Sequence, residues 1–238
     1  MTWKDYSRRF LPALISNFKS SASQNALSEQ SALQQAKQLL QFVLTDDFSS
    51  NGFKLTIRNS TMKNAGRGVF LSEGSLSKGT VFAFYPGAVY YPFEPIFFQS
   101  IRNPYVFRCI DGVFIDGNHA GLSRYIYRSC AFRNSHIPFC DLSWLEIAQS
   151  NAWSFNDCKD SKKYNRFAIG QVVNNSEDAN AAYQEVDLNR DDPLSAFLPN
   201  VQYSSVPEKT IRTVILFATR DINEGEELFT TYFTTIES

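Results

Sequence analysis

The sequence predicts a mainly β protein of the α+β class, with short strands in small sheets and a helical appendage before them. Two observations predict the strands. Apolar and polar residues alternate over 53–57, and the apolar run over 81–85 ends at a Pro-Gly turn. A third predicts the appendage, because apolar residues recur every three or four positions near the N-terminus. With 238 residues, of which 43% are hydrophobic, the chain can build a packed core.

The N-terminal segment, residues 1–51, has two helical patterns. Residues 1–20 hold four basic residues and one acid, with an apolar stripe at Trp3, Tyr6, Phe10, Leu14 and Phe18. A basic, acid-poor, amphipathic start is typical of a mitochondrial import sequence, although a helix docked on the main domain is the commoner use of such a stripe. A second amphipathic helix is predicted over 31–44, with Ser28 or Ser31 as its N-cap.

Composition excludes several classes of function. The net charge of −1 gives no argument for binding nucleic acid or an anionic membrane. The four cysteines form no C-x-x-C pair, so no zinc site or other metal site is predicted. No secretory signal is evident, which favours reduced thiols in an intracellular protein of the nucleus or cytoplasm, with the mitochondrion as the alternative. No apolar run approaches 18 residues, so no membrane span is expected.

The main domain is predicted over residues 52–238, with a long insert at about 118–168. Its strands are expected where short apolar runs meet turn residues, at 53–57, 81–85, 113–117, 213–218 and 228–233. A helical turn is expected over 144–148. The middle of the domain otherwise reads as irregular structure.

The first candidate motif is a pair of glycines, Gly66-Arg67-Gly68, followed further on by Tyr85-Pro86-Gly87. It lies before a strand and lacks the spacing and the helix of a dinucleotide site. Glycines let a backbone come close to a ligand, or they make a turn, which is their commoner use.

The second candidate motif is a pair of asparagines, Asn174 and Asn175, within the run from Gln171 to Asn180. Asparagines between an apolar strand and a polar loop can stabilise a turn. Their amides can also bind the polar groups of a small ligand. Both interpretations fit the motif taken alone.

The third candidate motif runs from Ala218 to Tyr232 and contains Arg-Asp-Ile-Asn-Glu-Gly-Glu-Glu-Leu. Taken alone, it predicts a β-hairpin with an exposed acidic turn, in which Tyr232 has no special role.

Together and in this order, the three motifs resemble the SET domain, the fold of most protein-lysine methyltransferases. The family's R-F-I-N-H-S-C-x-P-N segment aligns without gaps onto Gln171 to Asn180. Its A-x-R-D-I-x-x-G-E-E-L-x-x-x-Y segment is similar to Ala218 to Tyr232 almost letter for letter. The resemblance covers about residues 52–236. Matches outside the motifs bring it close to the group called SET domain-containing protein 9.

The resemblance implies S-adenosylmethionine as the cofactor and methyl donor. Backbone groups of Gly66, Arg67 and Gly68 would bind its methionine part. Asn174 would contact it through an amide, and Asn175 would stand in place of the usual histidine.

The resemblance also implies a protein lysine as the acceptor and a pseudoknot-like closure at the C-terminus. Tyr232 would be the catalytic tyrosine and would border the cofactor, and Tyr85 would line the lysine channel. A lysine ammonium attacks only after losing its proton, and a narrow apolar channel beside a sulfonium favours that loss.

The chain departs from the family pattern within the second motif. Besides Asn175 for histidine, it has Gln171 for arginine, and Glu177 and Ala179 for cysteine and proline. The family's zinc-binding flanks are missing. These departures keep open a second interpretation, a catalytically weak or inactive SET-like module that binds cofactor or peptide.

Two further expectations concern partners and chemistry. Residues 174–192 carry six acids and one base, and residues 221–238 carry five acids and no base. An acidic face favours a basic segment of a protein substrate, although a solvated loop is at least as common. A hydrolase using His119 or His136 is the third interpretation, but neither histidine lies in a nucleophile motif.

Overall fold

Short strands make up most of the regular structure, as the sequence predicts. The structure is a computed structural model that describes residues 26–48, 50–133, 141–147, 165–204 and 208–231. Its helices are α1 (Glu29–Thr45), α2 (Phe97–Ser100), α3 (Gly121–Arg133) and α4 (Trp144–Ile147), with short 3-10 helices at Gly170–Val172 and Pro193–Phe197. Its strands are β1 (Phe53–Asn59), β2 (Arg67–Leu76), β3 (Val81–Tyr85), β4 (Gly87–Tyr90), β5 (Val106–Arg108), β6 (Phe114–Asp116), β7 (Asn174–Asn175), β8 (Ala181–Asn189), β9 (Asn200–Gln202), β10 (Thr210–Ala218), β11 (Ile222–Asn223) and β12 (Glu227–Thr230).

Helix α1 is the second helix expected from the N-terminal pattern. The Ser28 hydroxyl accepts a hydrogen bond from the Ser31 N–H at 3.2 Å, and this N-cap satisfies a donor that the first turn leaves unpaired. The apolar face of the helix is buried. The Gln35 side chain also forms hydrogen bonds with the backbone of Gly79 and Val81 in the main body. The helix and the strands therefore share one core. The first pattern, within residues 1–20, lies outside the described residues.

The sheet that carries the glycine motif also carries the asparagine pair and the C-terminal motif. Strands β1, β2, β12 and β7 lie side by side in that order, and β11 pairs with β2. Strand β12 is antiparallel to β2 and parallel to β7, with Phe229 opposite Asn174. The last described strand is thus inserted between two earlier ones, as the pseudoknot-like closure requires.

The second sheet has β10 at its centre, between β3 and β8. Residues 213–218 of β10 are all buried, which explains why this strand is a continuous apolar run rather than an alternating one. Val214 lies opposite Tyr85 on β3 and opposite Glu185 on β8. The third sheet has the order β5, β6, β4, β9.

The predicted insert is more helical than the sequence suggests. The expected helical turn is present as α4, whereas the sequence predicts irregular structure where the 13-residue helix α3 lies. Leu122, Tyr125 and Phe132 are exposed on α3, so its apolar residues do not form one buried stripe. Among the described residues, no helix combines the length and apolar character needed to cross a bilayer.

Candidate active site

The glycine motif lies where the turn after β1 leads into β2, with Gly66 at the end of the turn and Arg67 and Gly68 at the start of the strand. Gly66 has φ +69°, and its carbonyl accepts a hydrogen bond from the Ser60 N–H at 2.9 Å. A Cβ placed on Gly66 would meet no atom within 4 Å. The backbone at this turn therefore borders open space that a ligand can enter.

Glu227, at the start of β12, joins this turn to the loop after β1. Its carboxylate accepts hydrogen bonds from the Ser60 hydroxyl at 2.7 Å, the Thr61 N–H at 2.7 Å and the Thr61 hydroxyl at 2.6 Å. Burial alone would raise the pKa of Glu227, but these hydrogen bonds outweigh it and place that pKa below its ordinary value. Glu227 is thus an ionised carboxylate held by neutral donors.

Asn174 completes the same arrangement. Its Nδ2 donates to the Arg67 carbonyl at 2.9 Å and to Glu227 Oε1 at 3.2 Å. A Cβ on Gly68 would lie 2.0 Å from Glu227 Oε1 and 3.0 Å from Asn174 Nδ2, so only glycine fits there. We call Arg67, Gly68, Asn174 and Glu227 the polar junction. Asn175 is exposed beside it.

The C-terminal strand is fixed to the asparagine motif by side-chain and backbone hydrogen bonds. The Asn180 amide donates to the Glu227 carbonyl at 2.8 Å and accepts from the Phe229 N–H at 2.8 Å. The Ser176 N–H donates to the Thr230 carbonyl at 2.9 Å. Tyr232, the predicted catalytic tyrosine, follows Thr230 by two residues and lies outside the described residues.

Tyr85, the predicted channel residue, lies in a group of three aromatic rings. It is 1% exposed, and its hydroxyl donates to the Tyr105 carbonyl at 2.8 Å. Its ring centroid lies 5.5 Å from that of Phe107 and 6.0 Å from that of Tyr183, and the last two are 5.0 Å apart. We call Tyr85, Phe107 and Tyr183 the aromatic cluster.

One hydrogen bond connects the aromatic cluster to the strand that carries the polar junction. The Thr230 hydroxyl donates to the Tyr183 hydroxyl at 3.2 Å. Thr230 also lies opposite Asn175 in the parallel ladder. The two regions therefore meet at the end of β12, the strand that continues toward Tyr232.

Sequence reasoning missed Phe107 and Tyr183. Both come from strands, β5 and β8, whose order in space follows from the fold of the whole domain. The one local signal is that Tyr183 follows Asn180, the last residue of the asparagine motif, by three positions. Phe107 has no such signal.

An ion-pair network holds the β5–β6 hairpin, which carries Phe107, against the central sheet. Arg212 on β10 pairs with Asp111 at 2.9 Å, Glu185 at 2.6 Å and Asp187 at 2.8 Å. Glu185 also accepts the Ile110 N–H at 2.8 Å. Burial alone would lower the pKa of Arg212, but its carboxylate partners raise it above the ordinary value. The network thus fixes the position of the hairpin through charges.

Cys109, Asp111 and Glu185 form the one group of three candidate metal ligands found among the described residues. Arg212 already pairs with both carboxylates. Burial, reinforced by Glu185, raises the pKa of the Cys109 thiol to about 12. Because Arg212 occupies both carboxylates, we assign no metal site here.

The hydrolase interpretation gains no support. His119 is half-buried, and burial together with Arg67 and Arg124 lowers its pKa. Its ring packs against Tyr105 at 5.8 Å, and its buried Nδ1 has no partner among the described residues. No serine or cysteine is hydrogen-bonded to it in the described part of the chain. His136 lies outside that part.

A family model describing the SET domain matches residues 66–233. The chain belongs to the SET-domain family. This confirms both the resemblance and the fold class that the three motifs predict. It also confirms S-adenosylmethionine as the cofactor expected from the sequence, since the SET methyltransferases use it.

Two curated SET proteins are similar to most of the chain. Proteins named SET domain-containing protein 9 from Homo sapiens and Pongo abelii are each 43% identical over 196 residues. These matches cover 79% of this chain, but 61% of the human relative and 67% of the orangutan one. The chain therefore spans about three fifths to two thirds of the length of these relatives.

Solved structures of SET proteins are more distantly similar. One is ctPRC2 in an autoinhibited conformation bound to S-adenosylmethionine, with a TM-score of 0.42 and 15% identity over 76% of this chain and 15% of that chain. Another is KRYPTONITE in complex with mCHH DNA, an H3(1-15) peptide and SAH, with a TM-score of 0.37 and 16% identity over 77% of this chain and 24% of that one.

Proposed function

We propose that the chain is an S-adenosylmethionine-dependent methyltransferase that transfers a methyl group to a lysine side chain of a protein substrate. The observation that carries the proposal is the meeting of the polar junction and the aromatic cluster at the end of β12. There, Thr230 touches Tyr183 and lies opposite Asn175. One region offers polar backbone and amide groups, and the other offers apolar rings.

The polar junction fits a cofactor with an amino-acid part and a nucleoside part. The turn at Gly66 borders open space, so its backbone can be reached. Asn174 fixes the end of this turn, because its amide donates to the Arg67 carbonyl and to Glu227. Asn175 is exposed next to them. Bound S-adenosylmethionine supplies an electrophilic methyl group on a sulfonium.

The aromatic cluster fits the lysine. Apolar rings around the lysine chain exclude water and so favour the neutral amine, the form with a free lone pair. The Tyr183 hydroxyl, which accepts from Thr230, lies where the cluster meets β12. The Tyr85 hydroxyl is already used to hold the Tyr105 carbonyl, so Tyr85 acts through its ring.

Tyr232 is proposed as the residue that orients the amine. It follows Thr230 closely in the chain, and Thr230 is fixed by Ser176 and bonded to Tyr183. A phenol near this point can accept a hydrogen bond from the amine and direct its lone pair along the line of attack. Carbonyl oxygens around the transferred methyl can add weak C–H···O contacts.

A basic segment of the substrate is the proposed partner. Glu177 and Asp178 are exposed between β7 and β8, directly after Asn175. Glu224 is exposed in the turn before β12. Acids on both sides of the junction attract a substrate with lysine and arginine neighbours. We propose no direct binding of nucleic acid.

The test is transfer of a labelled methyl group from S-adenosylmethionine to fractionated cell proteins. Wild type should label protein, and acid hydrolysis should recover the label as methyl-lysine. Tyr232→Phe should reduce labelling by at least about a hundredfold, which is the usual loss of rate when a catalytic side chain that exchanges hydrogen bonds or protons with the substrate is removed. The matched control is Tyr125→Phe, because Tyr125 is 74% exposed on α3; it should label like wild type.

The second candidate function is a SET-like module that binds cofactor or peptide without transferring a methyl group. Asn175 in the place of the usual histidine favours it. The same assay separates the two. Cofactor binding with no labelling of any protein by wild type would support the module. Labelling that persists unchanged in Tyr232→Phe would contradict the catalytic role of that residue.

We also propose that the protein resides in the nucleus or cytoplasm, with mitochondrial import directed by the basic amphipathic pattern of residues 1–25 as the alternative. Imaging of a C-terminally tagged chain, with and without residues 1–25, separates the two. The same distribution with and without these residues would contradict an import role.

A further inference from the structure

Gln171 has a buried side-chain amide with no partner. The residue is 4% exposed and lies in the 3-10 helix Gly170–Val172. Neither Nε2 nor Oε1 makes a hydrogen bond to any described residue. Buried polar side chains in folded proteins are nearly always paired, so two unpaired atoms on one amide need a physical explanation.

The helix around Gln171 leaves it little freedom to find a partner by moving. A Cβ on Gly170 would lie 2.5 Å from Leu216 Cδ1 and 2.8 Å from the Phe84 carbonyl, so the helix is pressed against β3 and β10. The Val172 N–H is bonded to the Ile169 carbonyl at 3.0 Å. The backbone that carries Gln171 is therefore held in place, and the donor and acceptor of its buried amide are unused.

Gln171 is close in the chain to the polar junction. It comes three residues before Asn174, whose amide contacts the Arg67 carbonyl. The 3-10 helix also contacts β2, the strand that begins at Arg67, and β3, the strand that ends at Tyr85. The unpaired amide thus belongs to the segment that borders the proposed cofactor site.

We propose that Gln171 is a cofactor-binding residue whose amide pairs with a group that offers a donor and an acceptor side by side. This inference rests on the proposed function. S-adenosylmethionine has two such groups. The adenine edge offers an amino donor and a ring-nitrogen acceptor, and the amino-acid head offers an ammonium and a carboxylate. A primary amide complements either of them.

The test compares the Gln171→Met variant with wild type in calorimetric titrations with S-adenosylhomocysteine and, separately, with methylthioadenosine. Methionine keeps the volume of glutamine but has no amide. The Kd for S-adenosylhomocysteine should rise at least about tenfold, as expected for the loss of hydrogen bonds in a desolvated site. Methylthioadenosine lacks the amino-acid head. An equal loss with it assigns the amide to adenine, and unchanged binding assigns it to the head.

The melting temperature of the ligand-free protein gives the second readout. An unpaired buried amide destabilises the free protein, so Gln171→Met should melt at the wild-type temperature or above it. The matched control is Gln202→Met. Gln202 is fully buried, and its Nε2 donates to the Tyr91 hydroxyl and the Thr210 carbonyl, both at 2.9 Å, while its Oε1 has no partner among the described residues. That variant should melt lower and should bind S-adenosylhomocysteine as wild type does.

Each contrary result has a distinct meaning. If wild type and Gln171→Met bind S-adenosylhomocysteine equally, this inference is wrong and the proposed function stands. A ligand-free Gln171→Met protein that melts well below wild type would show that the amide holds the fold, which also overturns the inference. If wild type itself does not bind, the proposed function fails and the inference fails with it.

Discussion

The polar junction includes Glu227 at the start of β12, and the aromatic cluster contacts Thr230 at its end, yet the two regions are held in different ways. The junction is built inside one sheet, from neutral donors around the single carboxylate of Glu227. The cluster is assembled from three separate strands, and its hairpin is held by the charges around Arg212. The two carboxylates differ accordingly. The pKa of Glu227 is lowered, whereas burial raises that of Glu185 despite its pairing with Arg212.

This difference suggests how a site for two ligands is organised. The junction is closely packed, because Glu227 and Asn174 fill the space that a Cβ on Gly68 would need. The cluster depends on a distant ion network, so it can be displaced without disturbing the junction. Changes to one region should therefore affect cofactor binding, and changes to the other should affect the lysine substrate.

The largest expected effect is that of Gly68→Ala. The new Cβ would lie 2.0 Å from Glu227 Oε1, and Glu227 cannot move without losing its bonds to Ser60 and Thr61. Overpacking together with broken hydrogen bonds should cost about 3 kcal/mol in the free energy of unfolding. Urea unfolding measures this.

Gly66→Ala is the control for the same motif. No atom lies within 4 Å of its Cβ, so only the left-handed backbone is strained, at a cost of about 1 to 2 kcal/mol. Equal costs for Gly66→Ala and Gly68→Ala would contradict the close packing of Gly68 against Glu227.

The next largest effect is expected from Arg212→Met. It leaves three carboxylates without their common partner, but Asp111 and Asp187 are close to half exposed, so screening by solvent reduces the loss to about 2 kcal/mol. The KM for a lysine substrate should rise because the hairpin carrying Phe107 is released. The Kd for S-adenosylhomocysteine should stay within about twofold of the wild-type value, because the polar junction does not include Arg212 or its partners.

Lys54→Met is the control for charge removal. Lys54 pairs with Glu73 at the surface, where both side chains are more than half exposed, and such pairs contribute about 1 kcal/mol or less. If Arg212→Met weakened S-adenosylhomocysteine binding as much as it raised KM, the two regions would not be independent.

A third prediction uses acid to separate the regions. The pKa of Glu227 is lower in the folded state than the ordinary value of 4.5, so its stabilisation is present above pH 4.5 and is lost as the pH falls through the folded value. Wild type should therefore be more stable than Glu227→Gln near pH 7, by about 1.4 kcal/mol for each unit of pKa difference. Unfolding measured between pH 7 and pH 3 should show this advantage shrinking. A constant difference across that range would contradict an ionised Glu227.

The smallest structural effect is expected from Tyr183→Phe, which removes only the hydroxyl that accepts from Thr230. The free energy of unfolding should fall by about 1 kcal/mol or less, because the ring packing is kept. Methyl transfer should fall more than stability does, since the hydroxyl faces the strand that leads to Tyr232. Transfer at the wild-type rate would exclude the Tyr183 hydroxyl from the reaction.

The sequence predicts the polar junction better than the aromatic cluster. Gly68 and Asn174 stand in motifs whose order identifies the family, and the strands around them are short apolar runs. What the motifs do not reveal is that Glu227 packs against Gly68, since this contact follows from the insertion of β12 between β2 and β7.

Within the aromatic cluster, the sequence predicts only Tyr85. The chain has 21 phenylalanines and 11 tyrosines, and nothing local separates Phe107 or Tyr183 from those that fill the core. The contact of Tyr183 with Tyr85 depends on the pairing of β3, β10 and β8, where register is set by packing over long distances in the chain. Phe107 reaches them from β5, which belongs to another sheet. Helix α3 was missed for a related reason, because several of its large apolar side chains face solvent.

The central claim is that the polar junction binds the cofactor and the aromatic cluster does not. Calorimetric titration of S-adenosylhomocysteine into wild type, Asn174→Ala and Tyr183→Phe tests it most directly. We expect one binding site in wild type, the same Kd within about twofold in Tyr183→Phe, and a Kd at least about tenfold higher in Asn174→Ala. Absence of binding in wild type, or a Kd that rises in Tyr183→Phe but not in Asn174→Ala, would contradict the claim.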